Sequence, residues 1–447
     1  MNVAIIGGTG YVGLVTGVGL AAHNHQVICA DINETKINGL NNGILPIYEE
    51  GLSDLLSEVK ARKKIHFTSN ISAAVEASDI IFVSVGTPEG KNGETDISQL
   101  VRALKSIANN MNTYKLIAIK STVPVGTNEM ARKFLQSNLK NHSCSFDVVS
   151  NPEFLRVGSA VQDFLSPERI IVGADSKKAA DMMKKLYSSF DTPIIVTDTK
   201  SAEMIKYACN SYLATRISFI NEIAEICEKV NADIHAVLDG MKLDKRIGGL
   251  YLSPGPGFGG PCLSKDIKSL INTGVKANAN VNLLKSVMGR NDVQIMNIMH
   301  TVEHELAEMD AKKVSVLGLS FKAGTNDTRN SPAIRLIEKL IEKNYEIVVY
   351  DPVVKQLEDV LNPQVTFSKS ADEAAKGSDC LIIMTEWDEF KKMDLKSVYY
   401  RMRTPVIIDT RNILSVEEAF KAGIRYSGIG TRKLQNKETM KVYRNIV

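Results

Sequence analysis

Short runs of β-branched and apolar residues recur along the first two hundred positions: Val3–Ile6, Gln26–Ala30, Ile65–Thr68, Ile80–Val85, Leu116–Lys120 and Phe146–Ser150. Helical stretches separate them. Such alternation predicts a parallel sheet with helices on both faces. Two further runs, Ile170–Gly173 and Pro193–Asp198, close this domain, expected at residues 1–200. From about Ser201 to Val230 the pattern is helical, long enough for a spine between domains. A second helical region, about Asp266–Met309, leads to a charged junction, Asp310–Lys313. The spine region is therefore expected at 201–310. The alternation then returns at Val314–Leu317, Glu346–Asp351, Leu381–Thr385 and Val406–Asp409, giving a third segment at 311–447.

The first turn reads Gly8-Thr9-Gly10-Tyr11-Val12-Gly13, and Asp31 closes the second strand 21 residues after Gly10. A GxGxxG alone is a weak signal. Following a strand, opening a helix and trailed by an acid at this distance, it predicts a dinucleotide site. The glycines permit a tight turn and close approach of a pyrophosphate, which the helix N-terminus attracts. Asp31 suits ribose hydroxyls and would repel a 2′-phosphate, so NAD is expected rather than NADP. The fold class is α/β: two Rossmann-like doubly wound domains joined by a long central helix. The second lacks the glycine fingerprint.

Other strand ends carry polar loops, where ligands of open α/β sheets bind. Thr87 and Thr122 are candidate cofactor neighbours there, or simply turn residues. Asn151-Pro152-Glu153 places a carboxylate where it can act as a base, or sit in a solvated turn. On the spine, Lys206 and Asn210 lie four apart on one helix face. They can grip a hydroxyl or a developing oxyanion; the plainer reading is a snorkelling lysine. Six glycines lie between Gly248 and Gly260, followed by Cys262, Lys265 and Asp266. A thiol beside a cation and a carboxylate is a candidate nucleophile, against the plainer reading of a buried structural cysteine. Lys322 and Arg329, in the loop after Leu317, suit anionic ligands. His300 and His304 are spaced for a metal but have no third ligand, so no metal is expected.

Composition narrows the classes. The content is 44% hydrophobic and 23% charged, that of an ordinary globular protein. Against 51 acidic residues, 54 basic ones leave +3, no footprint for nucleic acid. The six scattered cysteines show no disulfide framework, so a cytoplasmic setting is expected. No signal peptide is seen, and no apolar run approaches a membrane span.

A hydride acceptor plus a cysteine suggests oxidation to a thioester followed by hydrolysis. At this point the chain resembles the UDP-glucose/GDP-mannose dehydrogenase family. The matching segments are Gly8–Gly13, Ser121–Thr127, Asn151–Arg156, Lys206 with Asn210, Gly257–Cys262 with Lys265 and Asp266, Gly318–Lys322 with Ser331 and Pro332, and Thr385–Trp387. They run in family order over nearly the whole chain. The resemblance implies a four-electron, NAD-dependent oxidation of a nucleotide sugar, with UDP-glucose expected and UDP-glucuronate as product. It implies Cys262 as nucleophile, Lys206 and Asn210 on the oxyanion, Asp266 and Thr122 positioning water, and Glu153 as base. It places NAD on Gly8, Gly10, Tyr11, Val12, Gly13, Asp31, Lys36, Thr87, Thr122, Glu153, Lys265 and Arg329. It places the nucleotide sugar on Glu153, Phe154, Leu155, Lys206, Asn210, Tyr251, Leu252, Ser253, Pro254, Gly255, Gly259 and Lys322. Arg246 would reach the sugar site of a partner subunit in a homodimer or higher homo-oligomer.

Val157 stands where the family usually has Glu, Thr325-Asn326-Asp327 where Thr-Asp-Asp is usual, Asn330 for an acid, and Pro261 is less common. GDP-mannose or a UDP-N-acetylhexosamine is the nearest rival substrate. Lys265 and Asp266 argue against the N-acetyl branch, and Thr385-Glu386-Trp387 leans toward glucose. A two-electron hydroxy-acid dehydrogenase, or an NAD-sensing module without catalysis, would leave Cys262 incidental.

Overall fold

A computed structural model describes residues 1–307, 312–357 and 361–431. Met309, Asp310 and Ala311, the end of the expected second helical region and the start of its junction, lie outside the described residues, as does the stretch 432–447 of the expected third segment. The chain forms two compact units, 1–210 with 265–280, and 211–264 with 281–447. The expected middle segment contributes to both. The helix Thr199–Val230, 32 residues long, carries the chain from the first unit into the second.

The first unit holds eight strands: β1 (Asn2–Ile6), β2 (Gln26–Ala30), β3 (Ile65–Thr68), β4 (Ile80–Val83), β5 (Lys115–Ile119), β6 (Phe146–Ser150), β7 (Ile170–Ala174) and β8 (Ile194–Thr197). Their order is β3-β2-β1-β4-β5-β6-β7-β8. Val3 and Ile5 enter one apolar layer, with Leu14, Val18 and Phe82. Ala4 and Ile6 enter the opposite layer, with Leu104, Ile117 and Ile119. This two-sided burial follows from the strand's period of two and explains the unbroken apolar runs. One pairing departs from the expected parallel sheet: β7 runs antiparallel to β6, with Ser150 opposite Gly173. A strand buried on both faces carries no mark of its direction.

The second unit repeats the plan. Its strands are β9 (Lys313–Leu317), β10 (Glu346–Tyr350), β11 (Thr366–Phe367), β12 (Cys380–Ile383), β13 (Val406–Asp409) and β14 (Arg425–Gly428), in the order β11-β10-β9-β12-β13-β14, all parallel. In both sheets the winding reverses at the first strand, beside β1 and beside β9. That reversal opens a crevice at the carboxyl ends.

The expected second helical region resolves into two helices, Leu263–Lys276 and Asn282–Glu305. Asn278, at φ 56°, ends the first; an asparagine in left-handed backbone is a common helix stop.

Candidate active site

In the first unit, the chain leaves β1 through the glycine turn and enters the helix Tyr11–Ala22. A Cβ at Gly13 would lie 2.2 Å from the Gly7 carbonyl oxygen, and one at Gly8 would lie 2.7 Å from the Cys29 Cβ. The turn is therefore packed backbone to backbone. Gly10 caps the helix without a side-chain bond, and no acid sits in the first turn. The helix N-terminus thus keeps N–H groups and positive dipole for an anion, which fits a dinucleotide. Tyr11 and Val12 are half-buried at its start. Asp31, just after β2, accepts from the Thr9 N–H at 3.1 Å and the Thr9 hydroxyl at 2.6 Å. Lys36 is exposed on the next helix. Thr87 and Thr122 are brought together: the Thr87 hydroxyl donates to the Thr122 carbonyl at 2.9 Å.

A buried polar cluster lies at the ends of β5 and β6 and on the long helix. Lys206 Nζ is 3.1 Å from Glu153 Oε1, their side chains 6% and 8% exposed. An ion pair this dry needs further bonds; Glu153 Oε2 accepts from the Leu155 N–H at 2.6 Å. The Phe154 ring lies close to two cations, Arg169 at 4.3 Å and Lys206 at 5.2 Å from its centroid. One helical turn beyond Lys206, the Asn210 amide donates to Asp266 Oδ2 at 2.6 Å, and Lys265 Nζ sits 2.6 Å from Asp266 Oδ1. Lys206, Asn210, Glu153, Lys265 and Asp266 are all in this unit.

The sequence reading missed Lys120, which follows β5. It is buried, with Nζ 3.2 Å from Asn151 Oδ1, an oxygen that also accepts from the Tyr187 hydroxyl at 2.7 Å. Burial pushes its amine down to about 8, against the pull of Glu153 and with the repulsion of Lys206. A lysine at a strand end reads as a surface residue. Only the fold reveals it beside a second buried lysine.

In the second unit, the loop Tyr251–Gly260 is pinned by amide side chains. Asn221 Oδ1 accepts from the Gly255 N–H at 2.8 Å, Gln294 Nε2 donates to the Gly255 carbonyl at 2.8 Å, and Asn291 bonds both the N–H and the carbonyl of Phe258. Its glycines face protein. A Cβ at Gly257 would lie 2.6 Å from Asn291 Oδ1, at Gly259 2.4 Å from the Asn330 carbonyl oxygen, and at Gly260 2.9 Å from the Phe321 ring. Leu252 turns its side chain into an apolar cluster with Ile220, Ala224 and Leu238, leaving a ligand only its backbone. Tyr251 is half-buried, Ser253 exposed and Pro254 buried.

Cys262 is exposed. The buried-cysteine alternative is set aside by that placement. Arg329 holds Asp327 in a two-pronged ion pair, which favours its charged form, and the Cys262 thiolate adds to that preference. Arg329 is thus a cation in this unit that feels the thiol. Lys322 is half-buried. Arg411, after β13, was also missed by the sequence reading. Its Nε donates to the Met384 carbonyl at 2.9 Å, and it lies next to Gly255. Arg246 is exposed, paired with Asp244. No group of three metal-binding side chains occurs among the described residues.

A doubly wound sheet, an uncapped glycine turn with its acid, and a dry lysine–carboxylate pair define an NAD-dependent dehydrogenase. Residues 1–191 match the NAD binding domain of the UDP-glucose/GDP-mannose dehydrogenase family, 200–293 its central domain and 315–416 its UDP binding domain. The chain belongs to this family. It is 43% identical over 443 residues to UDP-glucose 6-dehydrogenase TuaD of Bacillus subtilis, covering 99% of this chain and 96% of that one. Among solved structures it resembles a UDP-glucose dehydrogenase from Pyrobaculum islandicum, with TM-score 0.89, 32% identity and coverage of 96% and 97%. It also resembles a UDP-D-ManNAc dehydrogenase from Pyrococcus horikoshii, with TM-score 0.86, 29% identity and coverage of 96% and 99%.

Proposed function

We propose that the protein is a UDP-glucose 6-dehydrogenase, taking the sugar C6 hydroxymethyl to a carboxylate. The observation that carries this is the dry Lys206–Glu153 and Asn210–Asp266 cluster, which begins four residues along the chain from an exposed Cys262. Four residues of chain, at most about 14 Å, separate Cys262 from Asp266. The names of the relatives support the substrate.

The alcohol first passes its proton to the water that Asp266 and Thr122 position and gives up a hydride, leaving an aldehyde. The Cys262 thiolate adds to it, and Lys206 and Asn210 stabilise the alkoxide of the thiohemiacetal. Loss of a second hydride leaves a thioester. Glu153, with Asp266 and Thr122 positioning the water, takes a proton as the water attacks, and the thiolate departs from the carboxylate. Gly8–Gly13 and Asp31 would hold NAD, which would supply the hydride acceptor for both oxidations, two per sugar. Residues 1–200 serve the cofactor, 201–310 the spine and catalytic loop, and 311–447 the nucleotide sugar.

The working form is a homodimer or larger homo-oligomer in the cytosol. Exposed Tyr212, Phe219 and Ile226 support assembly: they recur every seven residues along one helix, an apolar stripe suited to a helical partner. Arg246 would reach the partner's sugar site from a loop held by Arg216, which donates to the Ile247 and Gly248 carbonyls. Among the described residues no helix is long and apolar enough to cross a membrane.

The test is purified protein with NAD and UDP-glucose, following NADH and product, then repeated with Cys262→Ser. Two NADH per sugar, lost in the variant, is the expected result. One NADH per sugar with an active variant overturns the thioester route. Turnover of GDP-mannose or UDP-N-acetylmannosamine without UDP-glucose overturns the substrate.

A further inference from the structure

Glu49 lies between the helices Glu34–Asn41 and Leu52–Ala61, and its side chain is buried at 5% exposure. No cation pairs with it among the described residues. Its carboxylate instead accepts from three remote donors: the Tyr11 hydroxyl, the Gly158 N–H at 2.8 Å and the Ala160 N–H at 2.6 Å. The Gly158 N–H also reaches the Tyr11 oxygen, at 3.2 Å. A buried carboxylate is costly unless every lone pair is used, and here the donors come from two functional segments. Tyr11 belongs to the glycine turn, and Gly158 lies five residues after Glu153.

We propose that Glu49 is a positioning residue that locks the glycine turn, through Tyr11, to the loop carrying Glu153. The clamp sets the aromatic ring at the mouth of the turn and ties the base's loop to the same carboxylate. Displacing the turn therefore strains the Glu153 loop, and the reverse. Burial, and then the bond to Glu49, keeps the Tyr11 phenol protonated well above its usual range, so it stays a donor throughout. The proposal rests on reading Gly8–Gly13 as the cofactor turn.

The test measures steady-state kinetics and NADH binding by fluorescence for Glu49→Gln, Tyr11→Phe, the double variant and Asp31→Ala. Loss of one charge-assisted bond should raise the Kd for NADH and the KM for NAD about tenfold in each single clamp variant. The double variant should lose less than the sum of the two singles, because the Tyr11–Glu49 bond is common to both. The KM for UDP-glucose should move much less. If Asp31→Ala weakens NADH binding while both clamp variants bind normally and only melt earlier, Glu49 is a helix cap and the proposal fails. If Asp31→Ala leaves NADH binding unchanged, the turn reading itself fails. Additive losses in the double variant also overturn the clamp.

Discussion

Replacing Lys120 by Met should make the protein more stable at neutral pH and less active. A lysine ordinarily titrates near 10.4; here burial brings it to about 8. Each tenfold change in proton affinity is worth about 1.4 kcal/mol, so holding the charge in the folded chain costs roughly 3 kcal/mol. The variant loses the bond to Asn151, worth about 1 kcal/mol. Asn151 Oδ1 keeps its bond from Tyr187, so no acceptor is orphaned. The net expectation is a gain of roughly 2 kcal/mol at pH 7. The sign of its pH dependence is fixed by linkage. Below about pH 8 both folded and unfolded chains hold the proton, and the full cost is present. Between about 8 and 10.4 the folded chain has released it while the unfolded chain still binds it, so wild-type stability rises with pH. The advantage of Met should therefore shrink across that window. Urea titrations of both proteins by circular dichroism at pH 7 and pH 9.5 measure it. Tryptophan fluorescence is unsuitable because the single tryptophan, Trp387, belongs to the second unit. A variant less stable than wild type at pH 7, by an amount that does not change with pH, refutes the reasoning.

Three further outcomes follow from particular contacts. Glu203, buried on the long helix, accepts from the Gly126 N–H, the Asn128 N–H and the Asn128 amide at 2.6, 2.8 and 2.6 Å, capping the helix Thr127–Asn138. Glu203→Ala strands those donors and should cost about 3 kcal/mol or more, read as a lower urea midpoint. Gly13→Ala forces a methyl onto the Gly7 carbonyl and should abolish NADH binding in a fluorescence titration, while UDP-glucose binding by calorimetry persists. Asn291→Ala removes both bonds to Phe258 and should lower kcat about tenfold or more with NADH affinity unchanged.

Most of both sheets was legible because parallel strands covered on two faces read as unbroken apolar runs. The glycine turn and Asp31 were legible because strand, turn and acid appear in sequence order. β11 was not: it has two residues, none of them buried, and no pattern to show. β14 is half-exposed at the sheet edge and breaks at Gly428. Lys206 and Asn210 were found from their helical spacing, but their carboxylate partners come from 53 and 56 positions away, and the distant pairings follow only from the fold. Glu49 carried no signal at all, since nothing local distinguishes a clamp from a surface acid. Glycines 257, 259 and 260 are sites of close approach in the fold, where a Cβ would meet Asn291, Asn330 and Phe321.

The amide pins on that loop have a consequence for how the site can diverge. Asn221, Asn291 and Gln294 hold the backbone of Gly255 and Phe258 from outside, so the loop's shape is written in helices that precede and follow it. Side chains such as Ser253, exposed and bonded into none of these pins, can be exchanged without redrawing the path of the chain. Single substitutions there leave the loop's path intact, whereas a change in any of the three amides alters the template itself.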